Sequence, residues 1–149
     1  MADRVPASIT IGGAVPAALL PDLFAMIDGE GLSTEWDGEP FAADQLPDAE
    51  PLRLMALEVA WGRFEELEVF CIENGLPFAR WAGGYPSQWG AERTVFTGSG
   101  EPTSYVADEE DSILIDRSKV ERLGSIEAVL AHFDAADFTI PPLVIAGAD

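Results

Sequence analysis

The sequence predicts an α+β fold: a single domain with a mixed or antiparallel sheet of about six strands and two or three helices packed on one face. Three observations predict it. The hydrophobic period switches from strand-like to helix-like within residues 52–76. Short apolar runs of strand length alternate with amphipathic runs of helix length along the chain. No internal repeat or linker divides the 149 residues, and a chain of that length buries roughly two thirds of its extended surface, enough for one core.

Ser8 to Ile11 reads as a short first strand, after which Gly12-Gly13 lets the chain turn. Leu19, Leu20, Leu23, Phe24, Met26 and Ile27 follow at helical spacing, with Pro16 or Pro21 suited to the first turn and Gly29 to the position past the end, so a helix is expected near 18–28. Residues 30–51 are polar and rich in Gly and Pro, with apolar anchors only at Leu32, Trp36, Phe41 and Leu46, and read as a long irregular acidic segment. From Leu52 to Trp61, Met55, Leu57, Val59 and Trp61 alternate with Leu54, Ala56 and Glu58, the pattern of a buried strand. The period then changes. Phe64, Leu67, Phe70 and Cys71 share a helical face, and Asn74-Gly75 before Leu76-Pro77 stops the helix.

Phe78 to Trp81 is the next expected strand, completing a βαβ-like unit over 52–81, and GGYPSQWG is the loop that follows. Arg93 to Thr97 and Tyr105 to Ala107 read as a hairpin around Gly98-Ser99-Gly100. Asp108, Glu109, Glu110 and Asp111 repel one another and belong at a solvated turn. Ser112 to Asp116 is expected as a further strand. Ser118-x-x-Glu121 has the spacing of a capping box, with Gly124 as the stop, and Ser125 can cap a helix whose Ile126, Val129, Leu130 and Phe133 repeat at i, i+3, i+4 and i+7. Phe138 to Ile145 would close the sheet at an edge, where Pro141-Pro142 is tolerated.

Charge excludes more functions than any motif supports. With 27 Asp+Glu against 8 Lys+Arg the net charge is -19, so direct binding to nucleic acid or to an anionic membrane surface is disfavoured. No run of 18 apolar residues is present. The uncharged stretch 5–20 is broken by two prolines, a Gly pair and two hydroxyls, which argues against a signal peptide. One Cys makes no intrachain disulfide and no Cys-rich metal site, and a reducing cytoplasm is the expected setting.

Catalytic and cofactor chemistry has little to stand on. The single lysine, Lys119, follows no Gly-rich loop, so phosphate-loop chemistry is excluded. Cys71 with His132 is the one conceivable nucleophile and base, yet Cys71 falls on the apolar face of its helix among glutamates that raise its pKa, and His132 lies near a helix C-terminus, so structural roles are expected for both. The run at 108–111 matches no calcium-loop spacing. No enzyme, cofactor or metal is expected.

The distribution of charge is more specific than its total. Between Val5 and Leu52 stand nine acids (Asp22, Asp28, Glu30, Glu35, Asp37, Glu39, Asp44, Asp48 and Glu50) and no Lys or Arg. If extended, Glu35, Asp37 and Glu39 project to one side at about 6.6 Å intervals, like the anions of a phosphate backbone. Such a row would be steered to a basic groove made for nucleic acid. General acidity for solubility explains the same composition more simply. Trp36, Tyr85 and Trp89 are candidate aromatic anchors for a protein partner, as against a role for Trp61 and Trp81 in closing the core.

In size and charge alone, the chain resembles the small acidic inhibitors that phages and mobile elements use against restriction or CRISPR systems. The expected partner is a basic nucleic-acid-binding protein. The expected contact residues are Glu30, Glu35, Trp36, Asp37, Glu39, Asp44, Asp48, Glu50, Tyr85, Trp89, Asp108, Glu109, Glu110 and Asp111. An immunity protein against a toxin nuclease is the nearest alternative. A small-ligand domain using the loop of Trp81, Tyr85 and Trp89 is the alternative from another class, and a charged face at a sheet edge equally suits a homodimer.

Overall fold

Val5, Ala7, Ile9 and Ile11 alternate with Pro6, Ser8 and Thr10. In the computed structural model, whose described residues are 4–85 and 90–147, this alternation forms the interior strand β1 (Arg4–Ile11). The chain continues through β2 (Gly13–Pro16), α1 (Leu20–Gly29), β3 (Leu52–Ala60), α2 (Glu65–Glu73), β4 (Phe78–Ala82), β5 (Glu92–Phe96) and β6 (Thr103–Val106). It ends with α3 (Arg117–Leu123), α4 (Ile126–Ala136) and β7 (Leu143–Ala146). The main sheet is antiparallel throughout, in the order β3-β1-β4-β5-β6, while β2 and β7 pair in parallel as a separate two-stranded sheet.

One face of the main sheet carries the core. Ala7, Ile9, Ile11, Leu52, Leu54, Phe78 and Phe96 pack there against Leu23 and Ile27 of α1 and Leu67, Phe70 and Cys71 of α2. Phe64, Phe78 and Phe96 are fully buried, each contributing about 1.5–3 kcal/mol of hydrophobic stabilisation. Of the two or three helices expected on one face, α1 and α2 pack there. The C-terminal end of α4 meets the opposite face, where the Arg93 guanidinium donates to the carbonyl of Ala136.

The βαβ-like unit forms in split version. β3 and β4 are both antiparallel to β1 and lie on either side of it, so α2 crosses over an intervening strand. Within β3 the alternation expected from the sequence is interrupted by a bulge. Val5 pairs with Val59 but Ala7 pairs with Ala56, so Leu57 and Glu58 together oppose Pro6. Leu52, Leu54, Ala56 and Val59 therefore share the core face, and Leu57 and Trp61 are left exposed.

Three expected elements are corrected. Ser112–Asp116 forms no strand; only Ile113 bridges Ala107, because Asp108 and Ser112 close a tight turn immediately before it. Residues 138–145 do not extend the main sheet: the chain re-enters as β7 beside β2, where Gly13 donates to the carbonyl of Pro142 at 3.0 Å. A Cβ on Gly12 would stand 1.8 Å from the carbonyl oxygen of Pro141, which is why glycine occupies that crossing. At α3 the cap is Asp116, whose Oδ1 accepts from the Lys119 amide at 2.9 Å, two residues ahead of the expected Ser118. Ser125 caps α4 as expected, through Ala128.

Candidate functional site

The acidic segment is built into the fold by its few apolar residues. Leu32 is fully buried, Phe41 stacks at a tilt on Phe24 of α1 with centroids 6.0 Å apart, and Leu46 packs against the core. Ser33 exchanges both backbone hydrogen bonds with Met55, which fixes the segment to the β3 edge of the sheet. Further on, Gln45 closes a short turn by accepting from the Ala42 amide at 2.8 Å and donating to Thr34 at 3.3 Å. These anchors turn the carboxylates of Glu35, Asp37, Glu39, Asp44, Asp48 and Glu50 outward, all exposed.

The extended row of Glu35, Asp37 and Glu39 does not form. Residues 35–38 make a turn closed by the Gly38 amide on the Glu35 carbonyl at 3.1 Å, with Asp37 at φ 55°, because Gly38 and Pro40 break any extended run. The turn instead presents Trp36. Its indole stands edge-on to Trp81, centroids 6.3 Å apart at 85°.

Trp81 ties this pair to the second acidic stretch. Its Nε1 donates to the carbonyl of Asp108 at 2.9 Å, Glu109 Oε1 accepts from the Gly84 amide at 2.9 Å, and Asp108 Oδ1 accepts from the amides of Glu110 and Ser112. Arg93 holds the far end, donating to both the side chain and the carbonyl of Asp111 and also to Asp137. Burial lowers the Arg93 pKa, but the hydrogen bonds to Asp111 and Asp137 outweigh it and leave the guanidinium firmer in its charge than usual. The expected solvated turn at 108–111 is thus a fixed acidic knuckle, with Glu110 its exposed tip.

Trp36 and Glu109–Asp111 therefore line one groove, together with Pro6, Ser8, Arg53, Leu57 and Trp81, with a volume of about 380 Å³. It continues along the open sheet face past Thr10, Arg93 and Asp137 to Thr139, adding about 370 Å³. The sequence assigned neither Arg53 nor Ser8 to the site; pairing of the edge strand β3 with the interior strand β1 sets the position of both.

Other expected contact residues lie elsewhere. Glu30 is half-buried beside Glu65 and Glu66 on the far side of β3, where burial, reinforced by the charges of Glu66, Glu68 and Glu65, raises its pKa. Tyr85 is half-buried, and Trp89 falls outside the described residues. Of the two tryptophans expected to close the core, Trp81 is buried and Trp61 is 50% exposed, carried outward by the bulge and a left-handed backbone at φ 58°.

Cys71 and His132 are not brought together. Cys71 is fully buried under the core face, with burial and then Glu68 pushing its thiol up to about 12, whereas His132 packs against Tyr105 on the opposite face. Among the described residues no three His, Cys, Asp or Glu side chains are grouped to hold a metal ion, and no helix is long and apolar enough to cross a membrane. No family model, curated protein or solved structure significantly matches the chain.

Proposed function

We propose that this protein is a non-enzymatic acidic inhibitor that enters the nucleic-acid groove of a basic partner, acting in a reducing cytoplasm. One observation carries the reading. Trp36, whose chain neighbours are the exposed Glu35 and Asp37, lines one groove with Trp81 and with Glu109 to Asp111 from a distant stretch of the chain. Among the described residues, no ion pair neutralises Glu35, Asp37, Glu39, Asp44, Asp48, Glu50 or Glu110, whereas Arg80 and Arg93 spend their charge inside the fold and Arg117 pairs with Glu121 on the surface of its own helix. The pairs leave the net charge at -19 but place it on outward, unpaired carboxylates, and Trp36, 40% exposed, supplies a rigid anchor among them.

The test is capture from host lysate on immobilised protein, washed at rising salt and then with competing duplex DNA. A basic nuclease or other nucleic-acid-handling protein released by both washes supports the reading. Retention of nothing that salt and DNA displace contradicts it. An immunity protein would use the same surface, and a toxin gene beside its own would identify it as such.

A second reading rests on Arg53. Its exposed side chain lines both halves of the groove beside the hydroxyls of Ser8 and Thr10, a polar constellation of ligand-site size. A metabolite that changes tryptophan fluorescence independently of salt would favour it.

A further inference from the structure

We infer that the cleft between β6 and the helices α3 and α4 is a binding site for a small organic carboxylate with an apolar body. It goes beyond the proposed inhibitor surface, and the two lie apart. The acidic segment is fixed to the β3 edge of the sheet, the cleft to the β6 edge, about 19 Å away at four strand spacings.

The cleft has a volume of about 610 Å³, within the range of small-molecule sites. Its lining is unlike the rest of this surface. The chain's only lysine and only histidine, Lys119 and His132, meet there with Arg122, in a protein with 27 acids. Among the described residues neither Lys119 nor Arg122 takes part in an ion pair. The one carboxylate on the rim, Asp116, is turned to its own helix, accepting from the Lys119 amide. The lining also has apolar members at the β6 edge: Val106 and Leu114 are 64% and 47% exposed, and Ile115 lines the cleft with them. Tyr105 stands edge-on to His132 with centroids 5.3 Å apart, giving an aromatic side to the cleft.

That arrangement selects by chemistry. A guanidinium presents paired donors that match a planar carboxylate, and an ammonium adds a point charge. The aliphatic lining residues and the Tyr105–His132 pair remove a ring or short chain from water. A cation is repelled by Lys119 and Arg122, and a neutral apolar molecule forgoes both charged donors.

The experiment titrates the intact protein with benzoate and, separately, with benzyl alcohol, following the Tyr105 and His132 ring signals by NMR. The account expects saturable benzoate binding at these two rings and roughly tenfold weaker binding of benzyl alcohol. The double variant Lys119→Gln, Arg122→Gln should lower benzoate affinity by roughly tenfold and leave benzyl alcohol unchanged. Equal binding of both probes, unchanged benzoate affinity in the variant, or shifts absent from the two rings would overturn the inference. None of these outcomes depends on the groove at Trp36.

Discussion

The edge of the Trp36 indole rests on Trp81, centroids 6.3 Å apart, and through it an acidic segment of otherwise irregular backbone is registered on the open face of a five-stranded sheet. Trp81 in turn holds the 108–111 knuckle by its Nε1. Two acidic stretches are thereby positioned by one aromatic pair. Trp36→Ala should cost about 1 kcal/mol of stability, the value of an edge-to-face aromatic pair, and about 2 kcal/mol or more in partner binding. Urea unfolding and calorimetric titration measure the two separately; equal losses would make Trp36 a structural residue only.

Arg80 is the charge the core depends on. Buried at 4% exposure, its guanidinium donates to Glu68, Glu92, Thr94 and the Gly62 carbonyl. Arg80→Ala strands a Glu68 carboxylate that is only 13% exposed, and should destabilise by about 3 kcal/mol in chemical denaturation. The paired change Arg80→Met, Glu68→Leu should recover much of that loss, since it removes both charges together.

Stability should fall as pH rises above the ordinary carboxylate value of 4.5. Burial raises the pKa of Glu30 and of Glu68, so the folded state holds these protons more tightly than the unfolded chain does. Their contribution is complete below the ordinary value of 4.5 and is lost as pH climbs through the raised values. Glu30→Gln should flatten the slope and stabilise at pH 7 by less than about 0.5 kcal/mol, because the group is partly exposed and screened. Thermal unfolding across the range checks it; a midpoint that rises with pH contradicts it.

Cys71 should be chemically silent in the folded protein. With its side chain fully buried and its thiol pushed up to about 12, reaction with a disulfide reagent at pH 8 should run roughly a thousandfold slower than in urea, limited by opening of the fold. Prompt reaction would mean that α2 opens locally.

Local periodicity made much of this fold legible. The helical face of Leu67, Phe70 and Cys71 and its stop at Asn74-Gly75 depend on neighbours three and four residues apart, and the structure has them as expected. The bulge in β3 was not legible, since what it accommodates is Pro6, on another strand. Nor was the pairing of β7 with β2, which joins segments more than a hundred residues apart through a glycine contact. The repeat of Ile126, Val129, Leu130 and Phe133 identified α4 correctly but not its exposure: Ile126 and Leu130 are 65% and 55% exposed because the helix meets the sheet mainly through its C-terminal end.

The site divides the same way. Composition located the acids, and the aromatic pattern singled out Trp36. That Glu109 to Asp111 share a groove with Trp36 is a product of sheet order, and the turn at 35–38 that cancels the expected row rests on a single backbone hydrogen bond. Charge in a sequence is legible; its address is not.

The most direct test compares two triple charge reversals of equal size against a captured partner. One, Glu35→Lys, Asp37→Lys, Glu110→Lys, acts on Glu110, which lines the groove, and on the two exposed acids that adjoin Trp36 in the chain; the other, Glu73→Lys, Glu101→Lys, Asp134→Lys, acts at exposed sites that neither line it nor adjoin Trp36. The account predicts that the first variant loses affinity by roughly a hundredfold and much of its salt dependence, while the second stays within about threefold of the wild type. Equal losses in both would mean that only total charge matters, and would contradict a defined inhibitory surface.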